Sequence, residues 1–347
     1  MKTRFASLSV LCAVALSSGM ARAQDAPRYR ISRTVALGSP ERWDYLSYDA
    51  PTHRVYVSHG DRITVVDTNA GAVIGTVASF PGGTHGIGIS NATGRGYTDD
   101  GAAGQAVAFD LKTFEAGKRI EADADADGIS VDPVTGHVFV VNGDTGTITV
   151  IDPKTNSAVA TIKAGGKLEF AVAPGDGKLY VNGAGRKEIL RIDIRTNAVD
   201  AHWPIPNCQS PHGLAADAAG RRLFSTCVNN LMVVVNMDNG KTVASLPIGA
   251  GTDAAAFDPK RKLAFSSNGR DGTLSVIQEQ DPDTFVALTP VKTAITARTM
   301  ALDPESGRIF LVAADIDTQV AAPAGSGPAR PALVPGSTRL IYLDPVK

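Results

Sequence analysis

Seven positions spaced 41 to 45 residues apart carry side chains able to do chemistry: Asp44, His85, Asp127, Leu168 with Glu169 beside it, His212, Asp253 and Arg298. Each precedes a turn by the same interval, and most lead into a short apolar stretch such as Gly86-Ile-Gly-Ile89 or Ala254-Ala-Ala-Phe257. If they converge, acids, two histidines and an arginine form a polar ligand site or a divalent-cation site. Mixed carboxylate and imidazole donors suit zinc or another first-row ion, whereas carboxylates alone suit calcium or magnesium. A divalent ion (Ca, Mg or Zn) is therefore the candidate cofactor. The same residues at strand starts would also satisfy turn amides and water without any ligand, so both roles stay open. His85 and His212 fall in the second and fifth repeats, a separation that argues against one ion shared by the two.

Asp123-Ala-Asp125-Ala-Asp127-Gly128 is a second candidate metal segment, with oxygens at alternate positions and glycine at the sharp turn. The position where an EF-hand places its bidentate Glu is Val134, so a solvated acidic turn is the competing reading. Cys208 and Cys227 are expected to pair, which would pin the loop carrying His212. No Gly-x-Ser-x-Gly elbow, phosphate loop, His-Glu-x-x-His or Cys-x-x-Cys-His occurs.

The elements that must position these residues are internal repeats. Ile129-Ser-Val-Asp132-Pro-Val-Thr-Gly136 leads to Phe139-Val-Val-Asn142, a Gly-rich turn and Thr147-Ile-Thr-Val-Ile151-Asp152, reading as strand, turn, strand, turn, strand. Counterparts of Phe139 are Tyr56, Tyr97, Tyr180, Phe224, Ala264 and Phe310, at successive spacings of 41, 42, 41, 44, 40 and 46. The third strands end on Asp67, Asp110, Asp152, Asp193, Asn236, Gln278 and Asp344. Most of these open an Asx-type turn into a fourth strand such as Ala158-Val-Ala-Thr-Ile162. Four short strands per repeat of about 42 residues is the arithmetic of a β-propeller blade, and the β-branched runs alternate with period 2. The chain is thus expected to be all-β, a seven-bladed β-propeller. Its last repeat stops after three strands, and Tyr29–Leu37 is expected to supply the missing outer strand and close the ring. Trp43 and Arg298 become neighbours across that closure, where Trp43 is closure packing or Arg298 makes an anion or sugar contact together with Trp43 or Tyr45.

With its repeated Tyr56-Val-Ser-His59, Phe139-Val-Val-Asn142 and Tyr180-Val-Asn-Gly183, the chain resembles the YncE-like proteins built from the Tyr-Val-Thr-Asn (YVTN) propeller repeat. The resemblance covers residues 28–347 and implies an exported seven-bladed propeller with no settled activity. Some relatives in that family bind single-stranded DNA.

Composition bounds the rest. The 347 residues are 43% hydrophobic, enough for a full core, with 35 glycines and 20 prolines to serve many turns. Residues 1–23 hold Lys2 and Arg4, an apolar stretch and Ala21-Arg22-Ala23, the layout of a cleavable signal peptide cut near Ala23. The mature chain, 24–347, is then one propeller domain in the periplasm or secreted, with 31 basic against 35 acidic side chains. That balance makes nucleic acid an unexpected partner. No transmembrane span and a monomer are expected, and the ligand, small molecule or protein, is unknown. Residues 314–338, rich in Ala, Pro, Gly and Ser, form an insertion in blade seven that is either a lid over the channel or a surface loop. The favoured function is an exported binding or scaffold protein with its ligand at the channel mouth. The alternative is a metal-dependent hydrolase resembling lactonase-type propellers, its ion drawn from Asp44, Asp127, Glu169 and Asp253 with His85 or His212 as base.

Overall fold

The structure, a computed structural model, describes residues 28–320 and 331–346. The expected signal peptide and the middle of the blade-seven insertion lie outside those residues. The strands form seven antiparallel sheets, six of four strands and one of five, each built from consecutive segments of chain except the last. Blade three is representative: Ala126–Val131 is innermost, followed outward by Val138–Asn142, Thr147–Asp152 and Ser157–Lys163. In blade six the outer edge is shared by Thr284–Ala287 and Val291–Lys292, both paired with Thr273–Asp281.

Blade seven takes its outer strand from the start of the described chain. Arg28–Ala36 pairs antiparallel with Arg339–Val346, bringing the two chain ends into one sheet. The joined ends complete blade seven's fourth strand, and the blades keep only short edges facing the centre or the outside of the ring.

Seven buried apolar clusters lie one between each pair of neighbouring blades, including the seventh with the first. Second strands are therefore buried on both faces, which explains their continuous apolar runs. Tyr56 packs toward blade two while Val55 and Val57 pack toward blade seven. The same geometry corrects one repeat position. In blade six the residue facing onward to blade seven is Phe265, while Ala264 faces back to blade five. Phe265, not Ala264, is thus the counterpart of Phe139. Seven residues separate it from Asp258, as seven separate Phe139 from Asp132. The turn-opening acids behave as Asx turns, with Asp67, Asp110, Asp152 and Asp193 accepting the amide two residues on at 2.7–2.9 Å.

Candidate functional site

All seven recurrent positions sit where the chain enters the innermost strand of a blade, and their charged members meet around the channel. Asp44, His85, Glu169 and Arg298 immediately precede inner strands Leu46–Asp49, Ile87–Ser90, Ala171–Val172 and Met300–Leu302. Asp127, His212 and Asp253 lie within theirs, in register breaks between Ala126 and Ile129, Pro211 and Leu214, and Thr252 and Ala254. A bulge re-aims a side chain that regular alternation would send between blades. Leu168 is the exception; it is buried in the core between blades three and four, and Glu169 takes the ring position.

Asp253 is the hub of one half of the ring. Arg298 Nε donates to its Oδ2 at 2.7 Å, and His212 Nδ1 stands 3.3 Å from its Oδ1. Arg298 also donates to the Trp43 carbonyl at 2.7 Å, lies over the Trp43 ring and places Nη2 3.5 Å from Asp44. Trp43 and Arg298 are thus neighbours across the closure, with the guanidinium engaged by protein acceptors. Glu169 lies 3.7 Å from His212 Nδ1 and 3.9 Å from Lys167 Nζ. On the other side, His85 Nδ1 meets Asp99 Oδ2 at 2.7 Å, while Asp99 Oδ1 accepts the amides of His85 and Gly86, each at 2.8 Å.

The carboxylates fall into two kinds. Asp99 and Asp253 are filled with donors. Asp44, Asp127 and Glu169 receive no hydrogen bond among the described residues, although Asp44 and Glu169 have ion-pair neighbours beyond hydrogen-bond reach. Asp44 and Asp253 each keep 21% side-chain exposure.

Tyr45 of blade one lies 4.8 Å, ring to ring, from Phe170 of blade four, and its hydroxyl donates to the Asp253 carbonyl at 3.4 Å. The pair brings blades one and four into contact directly beside the charged ring.

Burial raises the Asp44 carboxyl to about 6; Arg298 opposes this, and Asp253 adds to it. Burial, then the Asp44 charge, pushes Asp127 well up, and burial lifts Glu169 against the pull of His212. Burial also acts on Asp253 but is outweighed by His212 and Arg298, which hold it below the usual range. His85 is drawn down by burial and, more strongly in sum, up by Asp99, Asp127 and Asp44, reaching about 9. His212 is raised in the same manner by Asp253 and Glu169. The three carboxylates without donors are all held up by burial, as is Asp99 despite its donors, while Asp253 alone of the five is held down.

The second candidate segment is dispersed. Asp123 accepts from Thr147 and the Ala124 amide, Asp125 lies beside Gly143, and Asp127 belongs to the channel ring. Among the described residues no three His, Cys, Asp or Glu side chains are placed to hold one ion. His85 and His212 sit in different halves of the ring, each engaged with its own carboxylates. Cys208 and Cys227 form the expected disulfide. The described stems of the insertion join through Ile316 and Leu333 and lean on the chain before blade one, Gly336 donating to Glu41 and Thr338 to the Pro40 carbonyl.

Several site residues escaped the sequence reading. Asp99 lies on a second strand, and Phe170 reads as core. Lys167 and Ser210 sit in loops whose course no periodicity fixes. Only the neighbours of known ring positions, Tyr45 after Asp44 and Phe170 after Glu169, offered a signal.

A closed ring of seven antiparallel sheets, six of four strands and one of five, with polar side chains gathered at the starts of the inner strands defines a seven-bladed β-propeller. The chain belongs to the family described as a domain of unknown function (DUF5074), which matches residues 54–246, and it is a YncE-like propeller. It is 27% identical over 222 residues to the uncharacterized protein YncE of Salmonella typhimurium, covering 59% of this chain and 61% of that relative. It therefore spans less than two thirds of that relative's length. A chain of Kuenenia stuttgartiensis hydrazine synthase shares the fold at TM-score 0.69 and 14% identity, covering 78% of this chain and 92% of that one. A chain of a mitotic checkpoint complex does so at TM-score 0.72 and 14% identity, with 99% of each covered. No helix among the described residues is long and apolar enough to cross a membrane.

Proposed function

We propose that this is an exported binding propeller whose channel mouth receives a cationic, donor-rich group, a free amine or the ammonium of a partner protein. The observation that carries this reading is the trio Asp44, Asp127 and Glu169, carboxylates on three blades that face the channel without hydrogen-bond donors of their own among the described residues. A bound ammonium would supply those donors and the missing positive charge, offsetting the cost that burial puts on their charged forms. Tyr45 and Phe170 beneath the ring offer an apolar floor for the methylenes of such a ligand. Export rests on the basic and apolar leader with its small-residue cleavage pattern, and the disulfide suits an oxidising compartment. The metal-hydrolase alternative lacks a three-donor cluster among the described residues.

The test is thermal stability and calorimetric binding with putrescine, spermidine and choline, against neutral sugars and small anions. Amines should raise the melting temperature at pH 7.5, with the effect lost by pH 5 and in Asp127→Asn. Silence of all three amines, or binding of the sugars or anions instead, overturns the reading.

A further inference from the structure

We propose that Ser210 is a nucleophile activated by His212 and aligned by Asp253, giving the channel mouth an acyl-transfer activity on carboxylic esters. Ser210 Oγ lies 3.4 Å from His212 Nε2, and His212 Nδ1 lies 3.3 Å from Asp253 Oδ1. Such separations are slightly long, as unliganded nucleophile–base pairs often are before substrate tightens them. The orientation is the productive one. A carboxylate only accepts, so neutral His212 carries its proton on Nδ1 and turns the Nε2 lone pair to the serine hydroxyl. Asp253 is in turn fixed by Arg298 at 2.7 Å and by the Tyr45 hydroxyl on its carbonyl.

The segment presenting the serine is constrained as a nucleophile requires. Cys208 is bridged to Cys227, which pairs in the sheet with Pro211, so Ser210 is held from both sides. Its φ of 42° lies in the left-handed region that residues other than glycine seldom occupy. The hydroxyl is half-buried beside the channel. The Ser210 amide has no acceptor among the described residues, which leaves the nucleophile's own N–H for the negative oxygen that develops on the carbonyl.

In acylation Ser210 Oγ bonds the ester carbonyl carbon and its proton passes to His212 Nε2. The carbon–oxygen bond to the alcohol breaks, and the alkoxide departs with that proton. Water, deprotonated by His212, then displaces the acyl group and regenerates Ser210. Only ester and water are consumed.

The test uses diisopropyl fluorophosphate on the intact purified protein. The reagent forms an Oγ–phosphorus bond and loses fluoride, while the serine proton goes to His212. A single adduct on Ser210 is expected, with a rate that rises with pH as His212 deprotonates; His212 is faced by Asp253, Glu169 and Lys167. Labelling should be absent in Ser210→Ala and about 100-fold slower in His212→Asn. In Asp253→Asn the midpoint of the pH profile should fall, because the carboxylate that favours protonated His212 is gone. Hydrolysis of p-nitrophenyl acetate should follow the same order. A folded wild-type protein without an adduct on Ser210, or an adduct formed equally fast in His212→Asn, overturns the proposal. Both reagents are uncharged, so the result is independent of the ammonium site.

Discussion

Replacing Asp44 by Asn should make the protein more stable above neutral pH and leave it unchanged in acid. In the folded protein the Asp44 carboxyl is held up from 3.8 to about 6. Below about pH 3 the group is protonated in both folded and unfolded chains and has no pH-linked effect. As pH rises from about 3 to 6 the unfolded chain releases its proton while the folded one keeps it, so stability falls with pH. By pH 8 the loss is complete, and the movement in pKa corresponds to about 3 kcal/mol. Because the channel admits water and the neighbouring acids readjust, about 1–3 kcal/mol is expected from Asp44→Asn. Arg298 does not lose its anchorage in the variant, since Asp253 and the Trp43 carbonyl still hold it at 2.7 Å each. Urea unfolding of wild type and variant at pH 4, 6 and 8 measures the effect. The midpoints should lie close together at pH 4 and separate clearly in favour of the variant at pH 8. A variant less stable than wild type at pH 8, or a gain equal at pH 4 and 8, refutes the argument that uncompensated charge is stored at the mouth. The same substitution should weaken amine binding, as expected where stability has been given up for a ligand.

Two further outcomes follow from the same geometry. Reducing or deleting the Cys208–Cys227 bridge, which spans 19 residues, should lower stability by about 3 kcal/mol through freed chain entropy. Calorimetry with and without reductant measures this, and an unchanged melting temperature would refute it. In Asp99→Asn, His85 keeps its burial but loses its strongest supporting carboxylate, so its NMR titration midpoint should fall from about 9 by roughly 1–3 pH units. A midpoint that stays put would show that Asp127 and Asp44, not Asp99, hold the imidazolium.

How legible the molecule was differs between its levels. The ring of blades was readable because one local rule repeats: a strand buried on both faces, such as Tyr56 between Val55 and Val57, gives a continuous apolar run at fixed distance from an Asp-opened turn. Where side-chain size broke the rule, the reading slipped by one residue, and only the inter-blade packing of Phe265 corrects it. The charged ring was legible as a register but not as a site. Asp123, Asp125 and Asp127 alternate along the sequence like a calcium loop, yet a bulge turns Asp127 to the channel and leaves the others at the surface turn.

The sequence alone determined the number of blades, the closing strand and the register of positions around one mouth, because each follows from period and local turn chemistry, and the two cysteines beyond the expected leader pointed to a pair. Tertiary structure decided how those positions are satisfied. Asp253 receives donors from blades five and seven while Asp127 receives none among the described residues, and that difference arises between repeats, where no local pattern reaches. It also decided that Tyr45 and Phe170 meet across the channel and that Ser210 turns toward His212. These are contacts set by ring closure and by bulged strand starts, distances that a one-dimensional period cannot encode.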